Sequence, residues 1–508
     1  MGNDSRTKNT SRNIVWGVAN KIVTLLLPFV TRTIIIHLLG ANYLGIGTLF
    51  TSVLSFLSLT ELGLGSAIVY TMYKPIVDGD INRISAIFNY YKKFYRVIGI
   101  VMLVIGTVIL PAIPYLINGD PPENINVYIL YYIYLINTVI SYFFAGYRAS
   151  LLSAHQREDI ILKRTTAVNV FVQILQIVAL ASTKNFYVYA VVPILGTIIT
   201  NLLNAVITKK MFPEIQPKGE LDMETRNSIK KKLSGLVGTK LNSVVLHSAD
   251  TIVISSYLGL ILTGQYGNYY TIFNAVCGFI ALIFSSMTAS IGNKLVTGSI
   301  EESYAFFKKL SFMNGWIVAW CSVCFVCLFE AFMELWVGKE LCLGWLFSAF
   351  MALYFYMYQI QKTILTFKDA AGIWYTDRAR PYVSMVINLI SNLVLVKIIG
   401  IYGIVLSTII SFVVSLPWAN RVLYKNLFHK SSISNLVSIL KNFVITVLLC
   451  VITYFVCTLC GDGILGLVER LVICCIVPNV IFILIYFRNE NFKYWMCFVK
   501  KVFKRVRK

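Results

Sequence analysis

The chain is a succession of apolar runs of bilayer length, and that leaves few folds open to it. A hydrocarbon core about 30 Å thick takes about 20 mostly apolar residues per helix. Backbone that crosses lipid must also satisfy its own hydrogen bonds. Fourteen runs are read along the 508 residues: 14–36, 44–70, 97–117, 126–147, 160–181, 186–208, 233–258, 266–292, 313–337, 343–366, 380–398, 402–420, 441–459 and 464–487. The first two, the fifth, the seventh and the eighth carry polar residues and rest on the alternation of the loops. The expected fold class is an all-α polytopic membrane protein with about fourteen transmembrane helices. With 57% hydrophobic and only 13% charged residues, an ordinary water-soluble enzyme, at about 25% charged, is excluded.

Alternate loops differ sharply in charge. Basic residues gather at Lys74 to Arg96, at Arg157, Lys163 and Arg164, at 209–232, at Lys294 to Lys309, at Lys368 to Arg380, at Arg421 to Lys441, and from Arg488 onward. The intervening loops 37–43, 118–125, 259–265 and 460–463 are short and nearly free of Lys and Arg. By the positive-inside rule the basic side is cytoplasmic and both termini lie there. The net charge of +22 is therefore read as topology and not as nucleic-acid binding, since no basic face of soluble size is present. The first run, bearing Lys21 and Arg32, reads as a span and not as a cleaved signal.

An internal repeat subdivides the chain. An offset of 219 residues aligns Lys21 with Lys240, Thr24 with Ser243, Ile35 with Ile254, Leu39-Gly40 with Leu258-Gly259, Gly45 with Gly264 and Phe50 with Tyr269. Both copies start from the same side, so the repeat is parallel, about an axis along the membrane normal. The expected organisation is an N-lobe at 1–208, a basic cytoplasmic linker at 209–232, a C-lobe at 233–424, an accessory helix pair at 425–487 and a basic tail at 488–508.

The first span carries a polar stripe. Lys21 and Arg32 are eleven residues apart, hence about 20° apart around a helix. Gly17, Thr24, Pro28 and Thr31 share that side, and Pro28 would kink the helix. The seventh span repeats the stripe with Lys240, Ser243, His247, Asp250 and Thr251. An ionisable group in a span costs roughly 2.5–3.5 kcal/mol on insertion scales, so two such stripes call for a wet central cavity. A cavity richer in Lys and Arg than in acid attracts an anion, and a diphosphate suits it better than a drug cation. Structural readings stand beside this one. Lys21 can pair with Glu61, Arg32 and Lys240 can snorkel to the interfaces, His247 can be a packing residue, and Asp250 can cap a loop.

The eleven cysteines show no metal-ligand spacing, and Cys321, Cys324 and Cys327 read as small packing residues. No Walker loop and no H-E-x-x-H arrangement is present. Neither an enzyme nor a bound cofactor or metal is expected.

The run Ser11-Arg12-Asn13-Ile14-Val15-Trp16, with Pro28 to Arg32 and Leu39-Gly40, resembles the start of polysaccharide-repeat flippases. Glu61-Leu62-Gly63-Leu64-Gly65-Ser66-Ala67, Tyr73-Lys74-Pro75 and Ala249-Asp250-Thr251-Ile252-Val253-Ile254 are also similar. These belong to the Wzx-type branch of the multidrug/oligosaccharidyl-lipid/polysaccharide exporter superfamily. The resemblance implies two six-helix lobes around a V-shaped central cavity. It implies alternating access driven by a proton or sodium gradient or by membrane potential. The implied cargo is an undecaprenyl-diphosphate-linked oligosaccharide for capsule or exopolysaccharide assembly at the cytoplasmic membrane, with membrane lipids and glycan polymerase machinery as partners. Carried over, the diphosphate-holding role falls on Lys21, Arg32 and Lys240, on a cavity face shared with Thr24, Ser243 and His247. Glu61 and Asp250 would be counter-charges or coupling sites. The alternatives are a lipid-linked peptidoglycan-precursor flippase, an ion-coupled multidrug exporter of the same superfamily, and a membrane glycan polymerase or ligase. The last is disfavoured by the short outer loops.

Single cysteines placed at 120 and 490 in a cysteine-free chain test the topology. A membrane-impermeant thiol reagent added to intact cells should label position 120 alone, and labelling of position 490 would reverse the orientation.

Overall fold

A computed structural model describes residues 3–58 and 64–506. Every regular element among them is helical. In chain order these are α1 (Asn3–Leu38), α2 (Ala41–Leu57), α3 (Leu64–Asp78), α4 (Ile81–Ile109), α5 (Val127–Phe143), α6 (Ala149–Ala154), α7 (Glu158–Thr183), α8 (Phe186–Met211) and α9 (Met223–Leu258). There follow α10 (Leu260–Thr297), α11 (Ile300–Val337), α12 (Trp345–Ile360), α13 (Lys362–Ala370), α14 (Ala379–Ile399), α15 (Ile401–Leu423), α16 (Ile433–Cys457), α17 (Gly463–Tyr486) and α18 (Glu490–Val506).

A helix stands at each of the fourteen expected places, and α1 continues through Pro28. Ten helices among the described residues are long and apolar enough to cross a membrane. An eleventh joins them if α5 and the segment Gly146–Ala154, bent by 50° against it, form one span. The other expected spans fall on α2, with 17 residues, on α12, with 16, and on α9, whose polar stripe dilutes its apolar character. The protein is a multi-span membrane protein, and fourteen crossings is its proposed count.

Helix boundaries follow local chemistry. Asp80, Asn126, Asn185, Asp222 and Ser299 are N-caps, each accepting from a backbone N–H in the first turn of its helix. Such caps are worth about 1 kcal/mol each. Two of the short turns are tighter than expected. Gly40 at φ +101° and Gly259 at φ +90° break the helical run for two residues and for one, so α2 starts at Ala41 and α10 at Leu260. A side chain would be strained at that φ, which explains why both copies of the repeat carry Leu-Gly there. The loop after α4 closes on α9. Asn118 N–H donates to Ser255 O at 2.9 Å, and Ser255 Oγ donates to Leu116 O at 2.7 Å.

The chain forms two compact units, Met1–Gly267 and Asn268–Lys508. In the first, α1 lies along α7, α5 along α8, and α9 along α2. Its core is built on Ile46, Leu49, Phe50, Ile68, Phe88 and Tyr131, all fully buried. The repeat also meets itself inside this unit. A Cβ on Gly45 would lie 2.0 Å from Leu260 O, and a Cβ on Gly264 would lie 2.7 Å from Ala41 O. The offset of 219 turns Ala41 into Leu260 and Gly45 into Gly264, so the two contacts are exchanged by the repeat. That reciprocity marks a pseudo-twofold contact. Missing side chains let two helices approach backbone to backbone, as small residues do in membrane interfaces.

In the second unit α11 is the central post, packed by α12, α16 and α17. An aromatic cluster of Phe273, Phe325, Phe329, Tyr354 and Phe355 fills one side of it. A hydrogen-bonded seam joins α14 to α15. Asn388 Nδ2 donates to Thr408 Oγ1 at 3.0 Å, Asn392 Nδ2 donates to Asn388 Oδ1, and Ser407 donates to Asn392. In lipid such bonds average about 0.6 kcal/mol.

Gly45→Val should cost about 1–3 kcal/mol through overpacking and reduce the yield of monodisperse protein on size-exclusion chromatography. Gly17→Val, where a Cβ meets nothing within 4 Å, should leave that yield unchanged.

Candidate functional site

The polar stripe of α1 divides in two. One edge is docked on α7: Asn20 Nδ2 donates to Thr166 Oγ1 at 2.8 Å and Thr31 Oγ1 donates to Gln173. Asn13 Oδ1 accepts from Asp159 N–H at 2.7 Å. The opposite, apolar face of α1, with Val15, Val18, Ile22, Leu26 and Val30, is exposed, as suits a lipid-facing stripe. Arg32 points from the other polar edge into the first unit. Its Nη2 atom is shielded from solvent. A Cβ on Gly267 would lie 2.5 Å from that Nη2 and 3.3 Å from Thr48 Oγ1. Tyr134 and Tyr189 lie near enough to act on the guanidinium electrostatically. Gly47 makes room for Tyr134, whose Oη would be 2.9 Å from a Cβ there. The repeat offset carries Thr48 onto Gly267, so the pocket holding Arg32 sits on the same reciprocal crossing as Gly45 and Gly264. Arg32 does not snorkel here. It is seated among tyrosine and threonine hydroxyls in the space that Gly267 leaves open.

The other expected residues are not all gathered at this point. Lys21 is half-buried and about 16 Å nearer the start of α1. Thr24 is exposed and donates to Asn20 O at 2.9 Å. Ser243 is exposed on α9. Asp250 is 1% exposed, and the Tyr266 hydroxyl donates to its Oδ2 at 3.3 Å. Glu61 lies outside the described residues, as do the side chains of Lys240 and His247. The Lys21–Glu61 pair and the lysine match between the repeats remain proposals.

The structure adds charges that the sequence did not single out. Asp159, in the first turn of α7, is held by Arg12 at 2.9 Å and by Arg157 Nε at 2.9 Å. Asp377, just before α14, is held by Lys368 and by Arg380, whose Nε lies 2.9 Å from each carboxylate oxygen. Arg380 Nη1 also donates to Ser415 Oγ at 2.8 Å. Each unit thus clamps one buried carboxylate between two cations at the start of a long helix, where the helix dipole also favours an acid. Burial pushes the Lys368 ammonium pKa down and that of the neighbouring Asp369 carboxyl up. Glu330 inside α11 was also missed. Tyr269 Oη donates to its Oε2 at 2.9 Å, Ser348 Oγ to the same oxygen at 3.1 Å, and Gly344 N–H to Oε1 at 3.1 Å. It caps the start of α12 from a neighbouring helix. The one signal available was an acid beside a base in a basic loop, or alone in an apolar run.

Among the described residues one group of thiols is placed to share a metal ion. Cys327, Cys457 and Cys474 come from α11, α16 and α17, and their sulfurs lie within 4.8 Å of one another. All three are buried in the apolar contact of these helices, and spacing along the chain gives no hint of it.

These features define a multi-helix membrane transporter with a half-buried cation in its first span. Residues 10–289, more than half of the chain, match the polysaccharide biosynthesis protein family, and the chain belongs to that family. No curated protein matches it by sequence. Among solved structures it is similar to the lipid II flippase MurJ in an inward closed conformation. The TM-score is 0.64 and the identity 14%, over 93% of this chain and 98% of that one. It is similar to a multidrug resistance MATE transporter of the MOP superfamily in the inward-facing conformation, with TM-score 0.60 and 14% identity over 80% and 96%. A MOP superfamily transporter from Pyrococcus furiosus, described as having a binding pocket of reverse polarity, matches with TM-score 0.53 and 14% identity over 84% and 97%. At such identities the likeness is one of fold. The expected class, a transporter and not an enzyme, is that of the family and of these folds.

Asp377→Asn leaves Lys368 and Arg380 facing each other without their counter-charge. A cost of about 3–5 kcal/mol should appear as a lower thermal midpoint in detergent. Asp462→Asn, removing an exposed carboxylate 4.0 Å from Arg470, should leave the midpoint unchanged.

Proposed function

We propose that the protein flips undecaprenyl-diphosphate-linked oligosaccharide repeat units across the cytoplasmic membrane for capsule or exopolysaccharide assembly. The observation that carries this reading is the enclosed Arg32 in a span covered by the polysaccharide biosynthesis family match. A guanidinium remains charged in such surroundings and offers paired donors to phosphate oxygens. Tyrosine and threonine hydroxyls around it suit a ligand with both phosphate and sugar. In this proposal the polar face of α1 is exposed to the two sides of the membrane in turn, and Lys21 and Lys240 line the route on the basic side. Thr24, Ser243 and His247 share the face. Glu61 and Asp250 balance the charge or couple transport to a proton or sodium gradient or to membrane potential, without a cofactor. Two six-helix lobes and an accessory pair, with both termini in the cytoplasm, complete the scheme. The product is handed to glycan polymerase machinery.

A lipid-linked peptidoglycan precursor is the second reading, supported by the fold shared with the lipid II flippase MurJ. It has the same diphosphate. A multidrug cation fits poorly, because Lys21 and Arg32 dominate the first span.

Liposomes carrying the purified protein and a labelled lipid-linked oligosaccharide test the proposal. Wild type should deliver the sugar to the opposite leaflet. Arg32→Ala with Lys240→Ala should slow delivery roughly 10- to 100-fold, the equivalent of one lost hydrogen bond to a charged group, at unchanged protein abundance. Undiminished delivery by the double variant would remove the basic route. Delivery of the peptidoglycan precursor alone would select the second reading.

A further inference from the structure

The second unit holds a polar cavity that takes no part in the proposed route. Its volume is about 340 Å³. It lies where the early turns of α11 and α16, the end of α17 and the first residues of α18 converge. Lys308, Lys441, Asn435, Asn442 and Asn489 line it, and no carboxylate is among the described residues that do. Neither lysine has an acidic partner within 4 Å among those residues. Further charge crowds the rim. Lys308 Nζ stands 4.6 Å and Lys430 Nζ 4.4 Å from the centre of the same Tyr304 ring. Two ammonium groups at one aromatic ring, beside a third lysine, create a field that attracts an anion.

A second cavity continues along the same helix. Residues 434–442 of α16 line the polar pocket, and Phe443 to Phe455 line an apolar groove of about 470 Å³ with Val326 of α11 and Trp345 and Leu353 of α12. Tyr356 joins the two: it lines the groove, and its hydroxyl donates to Ile439 O and Asn442 Oδ1, both at 3.1 Å. Gly315 permits this, since a Cβ there would lie 2.9 Å from Asn442 Nδ2. A basic head compartment followed by an apolar trough is the shape of a site for an acidic amphiphile. The twelve-residue rise from Phe443 to Phe455 is about 18 Å, a little more than one leaflet of a core about 30 Å thick. That length suits a fatty acyl chain and is short for a long polyprenyl tail.

The neighbouring helix sets the depth. In α18 the residues Phe492 and Trp495 are buried, and Trp495 Nε1 donates to Lys309 O at 2.8 Å. Its sequence adds Lys493, Lys500, Lys501, Lys504 and Arg505. A basic amphipathic helix pinned by aromatic residues lies in the membrane interface, so the head compartment beside Asn489 and Asn491 is at headgroup level. We propose that this unit holds an anionic glycerophospholipid from the leaflet on its basic side, with the phosphate between Lys308 and Lys441 and one acyl chain in the groove along α16.

The test is lipid retention by the full-length protein, measured by native mass spectrometry after equilibration with phosphatidylglycerol, phosphatidylcholine, inorganic phosphate or undecaprenyl diphosphate. Phosphatidylglycerol should be retained in preference to the other three. Lys308→Gln with Lys441→Gln should weaken its retention by about fivefold per lysine, roughly 25-fold together. Both lysines are exposed, so folding is not at stake. Lys209→Gln with Lys210→Gln, an equal loss of charge elsewhere, should leave retention unchanged. Val447→Trp, which fills the groove and spares every charge, should also reduce it. The proposal is overturned if phosphatidylcholine is retained as well, or if neither the lysine pair nor the groove variant matters. Displacement by inorganic phosphate alone would make it a free-anion site, and preferential retention of undecaprenyl diphosphate would make it a substrate site. Either result also overturns the proposal. No transport is measured, so the outcome is independent of the flippase reading.

Discussion

The charged site of the first unit depends on the crossing where Gly45 meets Leu260 and Gly264 meets Ala41. In lipid there is no hydrophobic gain from pressing two apolar helices together, so close packing and polar contacts must hold them. Glycine at both copies of one repeat position removes the only obstacle to direct backbone contact. The same crossing then sets what lies one turn further along. Gly267 faces Thr48, and the gap left by its missing side chain receives the Arg32 guanidinium. A packing device and a charged site are thus one piece of geometry.

Both units also hold acids among close partners. Asp159 and Asp377 are each neutralised by two cations, and Glu330 is satisfied by donors at the start of α12. These charges hold helices in register. Arg32 lies beside Tyr134, Tyr189 and Thr48 in the space that Gly267 leaves. Ionisable groups inside spans are costly and tend to mark a pathway, and the α1 stripe divides its labour accordingly. Asn20 and Thr31 anchor it to α7, while Arg32 faces inward.

Much of this was legible in the sequence, because lipid imposes a simple code. Apolar runs of fixed length placed a helix at every expected position, and the Leu-Gly-x-x-x-x-Gly repeat named the residues of the crossing before their contacts were known. The physical reason for the motif was not legible. Positive φ at Gly40 and Gly259, and backbone contact at Gly45 and Gly264, are three-dimensional facts. Helices α2, α9 and α12 fall short of span criteria because two are short and one is polar, features that packing tolerates and hydropathy does not. The clamps around Asp159 and Asp377 were hidden in basic loops, where an acid looks solvated until its neighbours are seen to fold over it. The thiols of Cys327, Cys457 and Cys474 come from three helices, and no spacing rule connects them.

The central claim is that Arg32 is where the negative charge of the cargo is met inside the membrane. An electron cryo-microscopy structure of the protein with a lipid-linked diphosphate bound would test it most directly. The account predicts a phosphate within roughly 4 Å of the Arg32 guanidinium, the reach of an ion pair. A phosphate bound elsewhere, with Arg32 still enclosed beside Gly267 and Tyr134, would contradict it.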